Sequence, residues 1–288
     1  MHSIKFLFLS LCACAALMFC MSEARAQQQQ SQQQPQQQSL GLAPAFVDAN
    51  VKRGATYVQN FTIANQTTTR LRFRCSTADY WYDEQNGRLM GRPGTLPRSA
   101  STWMQFTPAE VIIEPNSSAI VKAVISVPQD AAGGFYTVPL FEGEPYDPAR
   151  NEAESQHTSA SFAVRLGGLL MLAVEATSEY NVEVMSGKII PPTASSELEM
   201  ELDIRNRSNA HARLRGIFAI LDASGKKVGR GRIEEKRYLP GQREILKAPW
   251  SGELAPGNYV AVITFTYDRA GQEPATLIYE LPFEIKNQ

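Results

Sequence analysis

From Leu40 onward, apolar and polar residues alternate in short runs bounded by Gly, Pro, Asn and Asp, and no long segment keeps a 3.6-residue apolar period. A period of two places successive side chains on opposite faces of an extended chain, so the pattern predicts an all-β protein. In the first half the predicted strands are Gly41–Asn50, Ala55–Asn65, Arg70–Asp83, Trp103–Ile113, Ala119–Val127, Phe135–Glu142 and Ser159–Ala176. Turn residues support these cuts: Asn65-Gln66-Thr67 ends one run, Glu84-Gln85-Asn86-Gly87 makes a turn, and Glu114-Pro115-Asn116-Ser117 separates two more. The second half repeats the grammar with Tyr180–Ile190, Glu197–Asn206, Ala212–Asp222, Lys227–Arg237, Gly241–Pro249, Gly257–Asp268 and Ala275–Ile285, with Asp222-Ala223-Ser224-Gly225 as a hairpin turn. Each set of short strands suits an immunoglobulin-like β-sandwich. The expected division lies near Thr177–Tyr180 without a long linker, giving tandem sandwiches over 40–177 and 178–288 that meet at a fixed elbow.

What precedes Leu40 changes the picture. Residues 1–26 read as a basic head, an apolar run and the small-residue site Ala24-Arg25-Ala26, a secretory signal peptide cut before Gln27. The apolar run is about 16 residues, short of the roughly 20 that span a bilayer, and no other run reaches that length. Lipid attachment at Cys14 or Cys20 is the alternative fate of this segment. Residues 27–39 form a Gln-rich spacer interrupted by Pro35, with too little apolar surface to offset the entropy of ordering. Of the four cysteines, Cys12, Cys14 and Cys20 belong to the removable segment. An exported chain with Cys75 alone has no internal disulfide and is held by its cores. The remaining chain is expected in the periplasm or at the cell surface.

Composition narrows the function. Lys and Arg number 28 against 29 Asp and Glu, so nothing in the overall charge draws nucleic acid or an anionic membrane. His157 follows a polar run and His211 follows Asn206-Arg207-Ser208-Asn209-Ala210; both are predicted as exposed loop histidines without metal-like or triad-like neighbours. There is no phosphate loop, dinucleotide turn or cysteine pair for zinc, so no cofactor and no enzymatic activity are expected. Cys75 shares a face with Phe73 and reads as a core thiol. Asp83-Glu84 reads as part of a hairpin turn, not a calcium loop. In Tyr80-Trp81-Tyr82 only two rings can share a face; Trp81 is assigned to the core, and Tyr80 and Tyr82 could stack on a carbohydrate.

The most informative run is Ser159–Ala176 (SASFAVRLGGLLMLAVEA). Ala160, Phe162, Val164, Leu166, Leu170, Leu172 and Val174 form one face, and Leu169 and Met171 add apolar groups to the other. A strand apolar on both faces needs cover on both. Two readings fit: a fully covered last strand with Gly167-Gly168 as a bulge, or an edge that offers backbone hydrogen bonds and alternating apolar groups to a second chain.

The first half resembles the N-terminal domain of periplasmic pilus-assembly chaperones (PapD-like). The resemblance rests on Phe61-Thr62-Ile63-Ala64-Asn65-Gln66, on the Trp81 strand, on Trp103 through Pro115, on Ala119–Val127 ending at Pro128, and on Gly134-Phe135-Tyr136-Thr137-Val138-Pro139-Leu140. It implies a non-enzymatic chaperone that binds secreted, pilin-like subunits by strand addition, with Phe162, Val164, Arg165, Leu166, Leu170, Leu172 and Val174 as the donor strand. It also implies a basic residue in the cleft between domains that anchors a subunit's C-terminal carboxylate. The first strand, Leu42-Ala43-Pro44-Ala45-Phe46-Val47-Asp48, has none, which leaves Arg165, and the aromatic-Arg-Pro ending of the donor strand is replaced by Leu172-Ala173-Val174-Glu175. The second half, with Leu239-Pro240-Gly241, Trp250 and Leu254-Ala255-Pro256-Gly257-Asn258-Tyr259, resembles generic bacterial immunoglobulin-like modules. The other function compatible with the sequence is a surface or periplasmic module that binds carbohydrate or wall polymer.

Overall fold

The computed structural model describes residues 39–147, 163–193 and 196–286. The signal peptide, the tract 27–38, His157 and Phe162 lie outside them. The strands are β1 (Leu40–Ala43), β2 (Phe46–Val51), β3 (Thr56–Asn65), β4 (Leu71–Tyr82), β5 (Arg88–Gly91), β6 (Met104–Thr107), β7 (Glu110–Ile113), β8 (Ser117–Ser126), β9 (Gly134–Pro145), β10 (Val164–Gly167) and β11 (Leu169–Val174). They are followed by β12 (Val182–Ile190), β13 (Leu198–Asn206), β14 (Ala212–Asp222), β15 (Lys227–Tyr238), β16 (Arg243–Trp250), β17 (Gly257–Arg269) and β18 (Gln272–Ile285). The protein is all-β, with immunoglobulin-like sandwich architecture as the alternation predicts.

The first sandwich packs a four-stranded sheet, β1-β3-β8-β6, on a larger one ordered β2-β11-β9-β4-β5. In the larger sheet β10 pairs with β9 in line with β11, and β7 pairs with β4 in line with β5. The facing residues Phe61, Ile63, Phe73, Val121, Ile125, Phe141, Leu170 and Leu172 are buried together. Burial of such side chains stabilises by about 1.5–3 kcal/mol each. The second sandwich packs β12-β13-β16 on β15-β14-β17-β18 around a separate core that includes Leu198, Met200, Leu202, Ile204, Phe218, Ile263 and Phe265.

Two predicted strands are each two strands in different sheets. Gly41–Asn50 breaks at Pro44, so β1 pairs with β3 in one sheet and β2 runs parallel to β11 in the other. Trp103–Ile113 breaks at Pro108, so β6 pairs with β8 and β7 with β4. Proline lacks the backbone donor that a continuing ladder needs, and the chain crosses between layers where the ladder is interrupted. The short edge strand β5 carries no alternation long enough to read and was not predicted.

Above β4, β7, β9 and β10 the outer surface of the larger sheet is a lattice of opposite charges. Arg70 pairs with Glu114 at 2.7 Å, Arg72 with Glu144 at 2.5 Å, Arg74 with Glu110 at 3.3 Å, and Arg165 with Glu142. Toward the other end the same face turns apolar. Ala78, Tyr80, Val138, Leu140 and Met171 are buried there with Leu239 of the second sandwich.

Candidate functional site

The crossing of the first strand at Pro44 leaves a gap. Along the line of β10 and β11, the outer edge is occupied by β2 from the Leu169↔Phe46 pair onward, whereas β10 has β9 on one side and, among the described residues, no strand on the other. Across the seam β1, paired only with β3, presents a second unpaired edge. Leu40, Leu42 and Leu166 are half-buried against the first core from the two sides of this seam. An extended chain laid there would find unmet backbone groups and a strip of apolar side chains.

The structure divides the predicted donor-strand residues. Val164 and Leu166 are half-buried on β10, beside the open edge. Leu170, Leu172 and Val174 are fully buried in the core, on a strand bonded on both sides by β2 and β9. Leu169 and Met171 pack on the opposite face with Val138, Leu140 and Tyr80. Over Leu169–Val174 the fully covered reading therefore describes the strand, and only Val164–Gly167 keeps a free edge. Gly168, whose N–H donates to the Pro139 carbonyl at 3.1 Å, separates the two parts.

Arg165 is 67% exposed and ion-paired to Glu142 on the outer face, away from the junction between the sandwiches. That junction holds different charges. His211, predicted as an exposed loop residue, is only 5% exposed. Its Nε2 lies 2.8 Å from Asp48 Oδ1, and Arg237 Nε donates to Asp48 Oδ2 at 3.2 Å. A carboxylate only accepts, so Nε2 donates; Nδ1 is buried without a partner among the described residues. The Tyr136 ring meets the imidazole edge-on at 5.6 Å, and the Arg237 guanidinium lies 4.6 Å from the Phe46 ring centre. A polar cavity of about 150 Å3, lined by Asp48, Tyr180, His211, Arg213 and Asp268, sits beside the pair. Gly134 N–H donates to the Asn209 carbonyl at 2.9 Å, and at neighbouring Gly133, with φ +83°, an added Cβ would stand 2.3 Å from that same oxygen. Two residues without side chains therefore let the backbones of the two sandwiches touch.

Burial pushes the Asp48 carboxyl up, but the His211 hydrogen bond and the Arg237 contact outweigh it, and the group is held below the ordinary carboxylate range. A carboxyl depressed on folding stabilises the folded form above its ordinary value of about 3.9 and loses that contribution as pH falls through the depressed value. Replacing Asp48 with Asn is expected to cost about 2 kcal/mol at pH 7, with the gap to the native chain closing as pH drops below about 4. Denaturant unfolding of both chains from pH 7 to pH 3 checks this; a gap that is constant across the range would refute it.

The other candidates are structural. Cys75 is half-buried against the core, and burial, with Glu110 nearby, pushes its thiol up to about 11, so it is protonated and unreactive at neutral pH. Asp83 Oδ1 accepts from the Gln85 and Gly87 N–H groups at 2.9 and 2.7 Å, closing the expected hairpin turn. Trp81 is half-buried, 5.5 Å from the Tyr136 ring, while Tyr80 is the more deeply buried neighbour. Tyr80 is buried with Ala78, Val138 and Met171 and so has no open ring face for a sugar, and its hydroxyl bonds that of Tyr82 at 2.9 Å. Among the described residues no group of three or more His, Cys, Asp or Glu could hold a metal, and no helix is long and apolar enough to cross a membrane.

No family model and no curated protein matches the sequence. Solved structures do resemble it in three dimensions. One, from a chaperone–tip adhesin complex of CFA/I fimbriae biogenesis, has 13% identity and a TM-score of 0.45, covering 84% of this chain and 98% of that one. The class 5 fimbriae chaperone CfaA has 14% identity and a TM-score of 0.43 over the same shares. The E. coli chaperone DraB has 14% identity and a TM-score of 0.41, covering 87% of this chain and 98% of its own. In three dimensions, the solved chains that this protein is similar to include chaperones of bacterial fimbriae.

Proposed function

We propose that this chain, exported and cut after Ala26, is a non-enzymatic periplasmic chaperone of the PapD-like kind, with units 40–177 and 178–288. It binds secreted, pilin-like subunits by strand addition. The observation that carries this reading is the unpaired edge of Val164–Gly167 facing the unpaired edge of Leu40–Ala43, with apolar side chains between them. A strand inserted at this seam continues the backbone ladder, and its alternate side chains reach Leu40, Leu42 and Leu166. Contact of this kind needs no enzyme chemistry.

Charge plays a smaller part than the family resemblance implies. Arg165 is neutralised by Glu142, and at the junction Arg237 is engaged by Asp48 and Glu235, and Arg213 by Asp268. Affinity then comes from the backbone and the apolar strip.

Substituting Asp for both Val164 and Leu166 places two carboxylates on the half-buried side of the open edge. The expected result is loss of co-purifying secreted subunits, with stability lowered by only about 1–3 kcal/mol. On binding, the amides of Val164–Gly167 should become protected from hydrogen exchange. Unchanged co-purification by a folded double variant would end this reading.

A further inference from the structure

The outer face of the β15-β14-β17-β18 sheet has a feature that the strand-addition reading does not use. Ile217 and Ile278 are 58% and 62% exposed. They belong to one cross-strand row, Arg232↔Ile217↔Thr264↔Ile278, and the neighbouring row runs Arg230↔Ala219↔Val262↔Glu280. The small residues Ala219 and Thr264 leave a groove of about 570 Å3 between Ile217, Val262 and the wall formed by Arg230 and Arg232. Among the described residues Lys227, Arg230 and Arg232 make no ion pair, in a chain whose formal charge is −1. The positive wall is therefore local.

Charged side chains on an edge strand guard it against pairing with other chains, and β15 is such a strand. That accounts for the cations. It does not account for two isoleucines left open in the same row, one and three strands further in, beside a groove. Nor does the face suit a continuous anionic surface: Glu280 stands one strand beyond Val262, and Asp268 and Glu235 lie toward the end near Arg213. A ligand confined to the groove beside the arginine wall stays clear of these acids, none of which lines it.

We propose that this groove docks a protein segment in which carboxylate side chains accompany apolar ones, the carboxylates meeting Arg230 and Arg232 and the apolar groups lying on Ile217 and Val262. Carboxylates paired with arginine form charge-assisted bonds that fix orientation, and the apolar row supplies area. The site is on the second sandwich, on a face that the seam at Val164–Gly167 does not share.

The test uses the exported chain, a fluorescein-labelled dodecapeptide alternating Glu and Leu, and a counterpart with Lys in place of Glu. The Glu peptide is expected to shift the methyl resonances of Ile217 and Val262 and to bind at least tenfold more weakly to the R230E/R232E variant and in 0.5 M salt. The Lys peptide should not bind. Arg230 and Arg232 are exposed and unpaired, so the variant folds; I217S supplies a second, uncharged change that should weaken binding without altering the salt dependence. Three results would each overturn the proposal: undiminished binding by R230E/R232E, no shift at Ile217, or sedimentation with phosphatidylglycerol vesicles that the same variant abolishes.

Discussion

Replacing Leu170 and Leu172 together with Asp is expected to unfold the first sandwich. Both side chains are 0% exposed, on a strand hydrogen-bonded to β2 and to β9, and both pack in the core with Phe61, Phe73 and Phe141. Truncating a buried Leu to Ala costs about 2–5 kcal/mol, so two such losses already approach the roughly 5–15 kcal/mol that holds a domain together. Asp adds a carboxylate with no cation in that core, a further cost of several kcal/mol. The cores of the two sandwiches share no residue, so calorimetry should lose one transition and keep the other. A double variant that kept both transitions would mean that β11 is not a central strand bonded on both sides. The contrast with Val164 and Leu166, six residues earlier on the same run, is the sharpest available test of where the run stops being edge and becomes core.

That contrast also marks what the sequence could reveal. Within Ser159–Ala176 the alternation anticipates the two apolar faces of Leu169–Val174, since Leu170 and Leu172 face one cluster and Leu169 and Met171 the other, but not the split at Gly168 into two strands, and residues 159–162 lie outside the described ones. It could not say which edges are taken. The strand that closes Leu169–Val174 is Phe46–Val51, more than a hundred residues earlier and parallel, and a period of two carries no information about partners that distant. The same blindness merged β1 with β2 and β6 with β7. Within each pair the alternation runs through a proline, and only the pairing shows that the two halves serve opposite sheets.

His211 shows the limit for single residues. Its neighbours Asn206-Arg207-Ser208-Asn209-Ala210 do form a turn, as read, yet the imidazole is closed off by Tyr136 and by an Asp48 that is 163 positions away in the chain. Polar neighbours in sequence indicate a turn in the backbone. They do not indicate what another sandwich brings to it. Nor did the first strand announce it: Leu42–Asp48 reads only as a segment without a basic residue, and its pairing with His211 and Arg237 depends on residues more than 160 positions away.

The two sandwiches share one internal device that predicts a second large effect. Asn65 closes β3 and Asn206 closes β13, and each is followed two residues later by a hydroxyl residue, Thr67 or Ser208. Both asparagines are 0% exposed. Asn65 Nδ2 donates to the carbonyls of Thr69, Ile113 and Glu114 at 2.8, 3.1 and 3.2 Å, and its Oδ1 accepts from the Thr67 N–H at 3.1 Å. Asn206 repeats the pattern, donating to the carbonyls of Ala210 and Tyr238 at 3.0 and 2.8 Å and accepting from the Ser208 N–H at 2.9 Å. Each side chain thus ties a turn to a strand end elsewhere in its own sandwich; the bonds to the Ile113, Ala210 and Tyr238 carbonyls are buried, and those to Thr69 and Glu114 partly so. Alanine at either position leaves those groups unmet, at about 1–3 kcal/mol per buried group, so N65A and N206A should each cost roughly 2–4 kcal/mol. Aspartate has nearly the same shape but no donor at neutral pH, and it sets a carboxylate against two or three carbonyl oxygens. N65D and N206D should therefore be less stable than the alanine variants at pH 7. Lowering the pH protonates the carboxyl and restores one donor, so the Asp variants should gain on the Ala variants as the solution is acidified toward pH 4. Urea midpoints of the four variants at pH 7 and pH 4 decide the matter: Asp variants that match the Ala variants at both pH values would show that the buried asparagine fills space and that its hydrogen bonds contribute nothing.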